Sequence, residues 1–288
     1  MNKTMRNLLV AILISLFISV ATASDLTDND KLQFAQGHEE FKGGNYGKAL
    51  EKWLPIATAG NVHVQMSVTA AYEAKGDIES RKQALGWYKN AAAQGHPVAQ
   101  DHLGAAYAKG ELLERDIYKA IEWFTKAAEQ NNVHAQFALG YTYSQNKEIE
   151  KDFKKAAYWY EKAATNGHVV SQNDLGYMYE NGLSVPKNIE KAVFWYSESA
   201  IKGNKEAQLN LGYLYSVGKG VKKDQTEAVE WYRKAAEQGD RRAQFNLGIR
   251  YIEGNGVENL DRTEGIKWLK LSAAQGFTRA QQELAEIE

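Results

Sequence analysis

The residues from Ala207 to Gly239 read AQLNLGYLYSVGKGVKKDQTEAVEWYRKAAEQG, and this pattern recurs along most of the chain. The tryptophans mark the recurrence, because all seven of them form one series with steps of 34 to 37 residues. A fixed period of this length is typical of one supersecondary unit that is copied and stacked. The sequence therefore predicts a solenoid. The series consists of Trp53, Trp87, Trp123, Trp159, Trp195, Trp231 and Trp268.

Each period contains two patterns with helical spacing. In the first, which we name helix A, a small residue, a leucine and a tyrosine follow one another at four-residue steps, as in Ala207, Leu211 and Tyr215. They share one helical stripe. The second, helix B, carries the tryptophan and is followed by glycine, a natural helix stop. Helix B is expected to begin at residues that cap a first turn, namely Ser80, Asp116, Asp152, Asn188, Asp224 and Asp261.

These patterns predict an all-α fold, a right-handed α/α solenoid of about seven helical hairpins with a terminal capping helix. We expect one solenoid domain over residues 24-288, with units at about 30-60, 61-95, 96-131, 132-167, 168-203, 204-239 and 240-276 and a cap at 277-288. A glycine follows the leucine inside helix A, where it costs roughly 1 kcal/mol relative to alanine. A large ring is therefore expected against that glycine, and the tryptophans are the predicted occupants.

The N-terminal residues 1-23 are predicted to form a secretory signal peptide. Basic residues precede an uncharged run from Leu8 to Val20, and Ala21-Thr22-Ala23 fits an A-x-A cleavage site. The alternative, a membrane anchor, needs about 20 apolar residues, which this run does not reach. We expect a periplasmic or secreted protein with no stable membrane insertion after cleavage.

The composition of the chain excludes several kinds of ligand site. The chain has no cysteine, so disulfides, thiolate metal sites and a lipid-modified N-terminal cysteine are excluded. Its formal net charge of −1 at pH 7 does not supply the basic field that a phosphate backbone requires. No cofactor, metal or nucleic acid is expected, and we expect a monomer.

The pattern A-x-x-x-L-G-x-x-Y, then G-x-G-V, then D-x-x-x-A-x-x-W-Y-x-K-A-A-x-x-G resembles the Sel-one-like repeat, a relative of the tetratricopeptide repeat. The stretch from Ala207 to Gly239 reproduces nearly all of it, and the resemblance covers about residues 30 to 288. It implies an interaction scaffold whose A helices line a concave side. Signal-bearing, cysteine-free members of the family resemble immunity proteins that neutralise type VI secreted phospholipase toxins.

Catalytic motifs give no support for an enzyme. The S-x-x-K pattern of β-lactam-binding enzymes occurs four times, but its companion motifs S-D-N and K-T-G are missing. Four histidines, His63, His96, His134 and His168, recur near the start of helix A. Stacked helices lie about 10 Å apart, so equivalent histidines would not share one ion. We predict no catalytic and no metal residue, and an enzyme or regulator acting on cell wall or β-lactam stays as an alternative.

A stripe on one flank of helix A is the predicted partner-binding site. Its polar and aromatic composition is that of a recognition surface. The alternative is that its tyrosines pack against the adjacent repeat. The candidate residues are His102, Tyr141, Asp174, Tyr177, Asn210, Tyr213 and Asn246.

The predicted function is a periplasmic or secreted protein-protein interaction module that binds a partner protein on its concave face. The partner could be a secreted toxin, in which case the chain is an immunity protein, or an envelope protein. Binding of a host protein is a third alternative, and the sequence does not decide among them.

Overall fold

The computed structural model describes residues 26–287 of the chain. The signal peptide predicted at 1-23 lies outside the described residues. Within them the chain forms fifteen helices and no strand. The helices are α1 Asp28–Lys42, α2 Tyr46–Thr58, α3 Val62–Lys75, α4 Ile78–Ala93, α5 Pro97–Lys109, α6 Ile117–Glu129, α7 Val133–Gln145, α8 Phe153–Thr165, α9 Val169–Asn181, α10 Ile189–Ile201, α11 Lys205–Val217, α12 Gln225–Glu237, α13 Arg241–Glu253, α14 Arg262–Ala274 and α15 Thr278–Ile287.

The fifteen helices alternate between the two predicted types. Odd-numbered helices from α1 to α13 are A helices, even-numbered ones are B helices, and α15 follows the last pair. The all-α solenoid is confirmed. The chain forms two compact units, an N-terminal unit that ends at Gln136 and a C-terminal unit that begins at Phe137. That these units behave as one domain stays a prediction.

The B helices begin where the capping pattern predicts, with one exception. The side chains of Asp116, Asp152, Asn188, Asp224 and Asp261 accept backbone N–H bonds from the first turns of their helices. The prediction of Ser80 is wrong. Asp77 caps α4, and its carboxylate accepts from both the backbone N–H and the hydroxyl of Ser80. Ser80 is therefore part of the first turn of α4.

A covered side chain of helix B lies against the glycine of helix A, but in most repeats it is not the tryptophan. A Cβ added to Gly212 would lie 2.8 Å from the ring of Tyr232, the residue after Trp231. Tyr232 is 2% exposed, whereas Trp231 is only half-buried. The other pairs of this kind are Phe124 over Gly104, Tyr160 over Gly140, Tyr196 over Gly176 and Leu269 over Gly248.

The first hairpin is the exception that fits the prediction. The indole of Trp53 is fully covered and lies against Gly37, and its N–H donates to the backbone carbonyl of Phe34 at 3.1 Å. Trp53 thus occupies the position that Tyr232 holds in a later repeat. This shift by one position accounts for one of the two residues by which the step from Trp53 to Trp87, 34 residues, is shorter than the next step of 36.

A column of buried glutamines joins successive helices. In α11, the amide of Gln208 donates to the carbonyl of Ala200 at 3.0 Å and accepts from Gln238 at 2.8 Å. These bonds satisfy a carbonyl at the end of one B helix and connect it to the end of the next. The same donor bond to an alanine eight residues earlier is made by Gln65, Gln100, Gln136, Gln172 and Gln244.

Each covered tyrosine of a B helix also has a polar partner on its A helix. The hydroxyl of Tyr196 donates to Glu180 at 2.9 Å, and that of Tyr88 donates to Glu73 at 3.0 Å. The hydroxyl oxygens of Ser144 and Tyr160 lie 3.0 Å apart and form a hydrogen bond. Where helix B has Phe124 or Leu269 instead, the A-helix position holds Ala108 or Ile252. A covered tyrosine on these B helices is therefore matched by a polar residue on the A helix, because an unpaired buried hydroxyl is costly.

The contact between ring and glycine generates a stability prediction. Gly212→Ala should destabilise the chain by about 1–3 kcal/mol, because its Cβ would collide with the covered Tyr232 ring. Gly86→Ala is the matched control, since a Cβ at this helical glycine meets nothing within 4 Å. It should instead raise stability by about 0.5–1 kcal/mol. Urea unfolding followed by far-UV circular dichroism measures both, and an equal effect of the two substitutions would contradict the packing described.

Candidate functional site

Three tyrosines project from consecutive A helices at equivalent positions of the C-terminal unit. Tyr141, Tyr177 and Tyr213 are 54%, 53% and 49% exposed, and they lie on α7, α9 and α11. About half of each side chain remains accessible, so packing against the adjacent repeat leaves a part of each ring free to contact a partner. An exposed aromatic side chain with a hydroxyl combines apolar contact area with a hydrogen-bonding group.

Polar side chains connect two of these helices. The side-chain amide of Asn210 on α11 donates to the side-chain carbonyl of Asn173 on α9 at 3.2 Å. The amide of Asn173 in turn faces its neighbour, the Asp174 carboxylate, at 3.4 Å. Asp174 also accepts from the Tyr160 hydroxyl, which lies within hydrogen-bonding distance of Ser144. The network fixes the side chains that lie beside the exposed tyrosines.

The carboxyl group of Asp174 is electrostatically unusual. Burial raises the pKa of Asp174 to about 6, and the nearby Glu206 carboxylate adds to the rise. Hydrogen bonds from Asn173 and Tyr160 act in the opposite direction and only partly offset it. Burying a charge without a cation to pair it is costly, so this carboxyl is held in its charged form at neutral pH at a cost in stability.

The other two predicted residues lie differently. Asn246 is half-buried on α13, at the position that Asn210 holds on α11. His102 belongs to the N-terminal unit, where its ring stacks on Tyr88 with centroids 4.4 Å apart, and burial lowers its pKa. His102 is therefore not an exposed member of the stripe. We name the other six residues the A-helix surface, namely Tyr141, Asp174, Tyr177, Asn210, Tyr213 and Asn246.

Sequence reasoning missed the residues that hold this surface together. Asn173 is 7% exposed and Tyr160 is 3% exposed, so both are buried framework residues. Each forms a hydrogen bond with a residue of the A-helix surface, Asn173 with Asn210 and Tyr160 with Asp174. The signal for Asn173 was available, since it lies next to Asp174 and Phe or Leu occupies its position in the two neighbouring A helices of this unit. The pairing of Tyr160 with Ser144 could not be predicted from the sequence, because it depends on how α8 is aligned along α7.

Three of the four recurring histidines have structural roles. His96 and His168 are the N-caps of α5 and α9, and each accepts a backbone N–H from the first turn. His134 lies 2.8 Å from the Asp101 carboxylate, and this bond raises the pKa of His134. Over residues 26–287, no group of three or more histidine, aspartate or glutamate side chains could hold a metal ion. In the same residues no helix is long and apolar enough to cross a membrane.

The raised pKa of Asp174 predicts how stability depends on pH. A carboxyl whose pKa is raised by folding contributes stability below its unfolded value of 3.8 and loses that contribution as the pH rises through about 6. Asp174→Asn should therefore stabilise the chain by on the order of 1–3 kcal/mol at about pH 7.5 and much less at about pH 4.

Asp152→Asn is the control with opposite sign. Hydrogen bonds from Lys155 lower the pKa of Asp152, so removing its charge should not stabilise the chain at neutral pH. Urea unfolding of the three proteins across this pH range measures the effect. A stabilisation by Asp174→Asn that stays constant with pH would contradict the described burial of the carboxyl.

Comparison with known proteins places these features in a family. The model of the Sel1 repeat matches six segments, residues 72–96, 97–132, 133–168, 169–204, 205–240 and 241–277. The hairpin of α1 and α2 lies outside the matched segments. A search of curated proteins found no match.

Two solved structures are similar over most of the chain. A protective antigen present in uropathogenic Escherichia coli strains, which displays an SLR fold, is 33% identical with a TM-score of 0.84, over 90% of this chain and 56% of the other. The chain thus spans little more than half the length of that relative. A Sel1 repeat protein from Oxalobacter formigenes is 32% identical with a TM-score of 0.70, over 84% of this chain and 99% of the other.

A third structure is more distant. The immunity protein Pa5087 from Pseudomonas aeruginosa is 21% identical with a TM-score of 0.39, over 67% of this chain and 74% of the other. That similarity is too weak to bear on function. The six matched repeats and the two closer structures, in contrast, show the family. The chain belongs to the Sel1 repeat family.

Proposed function

We propose that this chain is a periplasmic or secreted protein that binds another protein through the A-helix surface. The observation that carries the proposal is the exposure of Tyr141, Tyr177 and Tyr213 at equivalent positions of three A helices. The repeated rings over the glycines are covered, so these tyrosines do not serve the hairpin contact. Sel1 repeats mediate protein-protein interaction in general, which supports the same class of function.

The composition of the surface suits a folded protein partner. Tyrosine gives a large contact area at low cost in side-chain entropy, and asparagine both donates and accepts hydrogen bonds. The bond between Asn210 and Asn173 holds one amide in place before binding, which reduces the ordering cost. The only carboxyl group in the A-helix surface, Asp174, has a pKa raised by burial. A cationic group of the partner that approaches it would stabilise the charged form and so offset the cost of burying that charge.

A double substitution tests the surface. We expect Tyr177→Ser together with Tyr213→Ser to weaken partner binding at least tenfold, since tyrosines in contact patches commonly contribute more than about 1 kcal/mol each. Tyr118→Ser together with Tyr158→Ser is the matched control, because these tyrosines are 70% and 53% exposed but lie on B helices. The partner is captured by crosslinking to the wild-type chain in cells, and titration with the purified partner then gives the dissociation constants.

Both double variants should unfold at the same urea concentration as the wild type. Weaker binding by the control pair, with unchanged binding by the A-helix pair, would place the interface on the B helices and overturn the proposal. Loss of the fold in the A-helix pair would show that Tyr177 and Tyr213 belong to the core.

We also propose export as the reason for the pattern in residues 1-23. The description of the Escherichia coli relative as a protective antigen supports an exported protein. Export with cleavage predicts a mature chain that begins at Ser24 and is found in the periplasm or medium. Intact-mass measurement of the fractionated protein tests this, and a full-length cytoplasmic product would contradict it.

Within this function, we propose a secreted toxin of the phospholipase type as the partner, so that the chain acts as an immunity protein. The resemblance of signal-bearing, cysteine-free Sel-one-like proteins to such immunity proteins supports this. Inhibition of the captured partner's lipase activity by the purified chain tests it. We propose no catalytic role for the chain itself, and turnover of nitrocefin or peptidoglycan by the purified protein would contradict that.

A further inference from the structure

The N-terminal unit contains a cavity that the A-helix surface does not include. It has a volume of about 500 Å³ and is lined by residues of α3, α4 and α5 and of the loop after α5. Its walls are mostly apolar and include Leu85, Ala106 and Leu112, while Glu73, Tyr88 and His102 present polar groups to it.

Two small residues create the cavity. Ala105 and Ala106 line it, at the positions that hold Tyr177 and Met178 in α9. Met178 is 4% exposed, so this position normally fills internal space. Alanine does not fill that volume, and the space opens to solvent between the exposed side chains of Arg81, Lys109 and Glu111. The cavity is therefore a property of this repeat and not of the repeat family pattern.

The polar groups of the cavity have a counterpart in the C-terminal unit that shows what completes them. There Tyr196 donates to Glu180 at 2.9 Å, and Lys219 donates its ammonium to the same carboxylate at 2.8 Å. Lys219 follows Gly218, the glycine that ends α11. The partly buried Glu180 carboxylate is thus bound by one tyrosine hydroxyl and one cation, which offset the cost of removing its charge from water.

In the cavity the cation is missing. Tyr88 donates to Glu73 at 3.0 Å, but the residue after Gly110, in the place of Lys219, is Glu111. Glu111 is bound by the guanidinium of Arg81 at 2.5 Å. Among residues 26–287, no lysine or arginine lies within ion-pair distance of the Glu73 carboxylate.

We propose that this cavity binds the cationic head of a lysine or arginine side chain that the partner protein contributes. The head takes the place at Glu73 that the Lys219 ammonium takes at Glu180, and the aliphatic stem lies along Leu85, Ala106 and Leu112. Long basic side chains combine such a stem with a charged tip. The proposal goes beyond the A-helix surface, because it concerns residues of the other unit and a ligand of defined charge.

The charges around the cavity favour a cation over an anion. The charge of Arg81 is neutralised by Glu111, and His102 is buried with a lowered pKa, so it is neutral at pH 7. Lys109 also lines the cavity, but it is exposed to solvent, where its charge is screened. Glu73 is left as the half-buried charge that needs a counterion.

Small probes test the site without the partner. N-acetyl-lysine amide and N-acetyl-arginine amide are titrated into the ¹⁵N-labelled chain, with N-acetyl-norleucine amide and N-acetyl-glutamate amide as uncharged and anionic comparisons. We expect saturable shifts of the amide signals of residues that line the cavity with at least one of the basic probes, and at least tenfold weaker binding of norleucine. Equal binding of norleucine, or no saturable shift with either basic probe, would overturn the proposal.

Two variants separate the site from general charge effects. Glu111→Lys supplies the internal cation seen in the C-terminal unit and should weaken binding of the basic probes at least tenfold. Glu114→Lys makes the same charge change at an exposed residue outside the lining and should leave binding unchanged. If Glu111→Lys does not fold, Ala106→Leu fills the cavity instead and should also abolish binding.

Retained binding in the folded cavity variants would contradict the site. These probes report only on the cavity, so their failure does not affect the proposed role of the A-helix surface. Conversely, loss of partner binding in the Tyr177 and Tyr213 variant says nothing about Glu73.

Discussion

The contact between a covered side chain of helix B and the glycine of helix A recurs in six of the seven described hairpins, all but that of α3 and α4. At Gly212 the distance from a hypothetical Cβ to the Tyr232 ring is 2.8 Å, so only glycine allows the two helices to approach this closely. The helix propensity lost at glycine is roughly 1 kcal/mol, which burial of a large ring exceeds. Because the contact repeats, it determines which faces of both helices remain available to bind a partner.

The covered tyrosine rings of the B helices introduce a second requirement, which the chain meets in different ways. A covered tyrosine hydroxyl needs a partner, and the A helices supply serine or glutamate at the facing position. Glutamate brings a charge that needs a cation in turn. The C-terminal unit supplies Lys219, whereas in the described part of the N-terminal unit Glu73 lies in the wall of the cavity without a lysine or arginine beside it. A structural pairing thus becomes a candidate binding site where Ala105 and Ala106 leave space and Glu111 replaces the lysine.

The periodic part of the structure was predictable from the sequence, because the repeat averages over many copies of the same contact. Helix order, five of six predicted capping residues and the glycine positions all follow from the spacing. The identity of the ring was not predictable, since Trp231 and Tyr232 are adjacent and only their directions on the helix distinguish them. The partner of Tyr160 and the burial of His102 depended on contacts between helices, which no single helical pattern contains. The exposure of Tyr177 and Tyr213 was likewise decided only by the structure.

The tyrosines divide into covered framework residues and exposed residues of the A-helix surface. Hydroxyl-radical footprinting of the isolated protein tests this division most directly. Tyr232 is 2% exposed and Tyr213 is 49% exposed, on adjacent helices of the same hairpin. Mass spectrometry of the oxidised peptides should show Tyr213 and Tyr177 modified several-fold faster than Tyr232 and Tyr196. Equal protection of the four rings would contradict the division, because it would make the A-helix tyrosines part of the core.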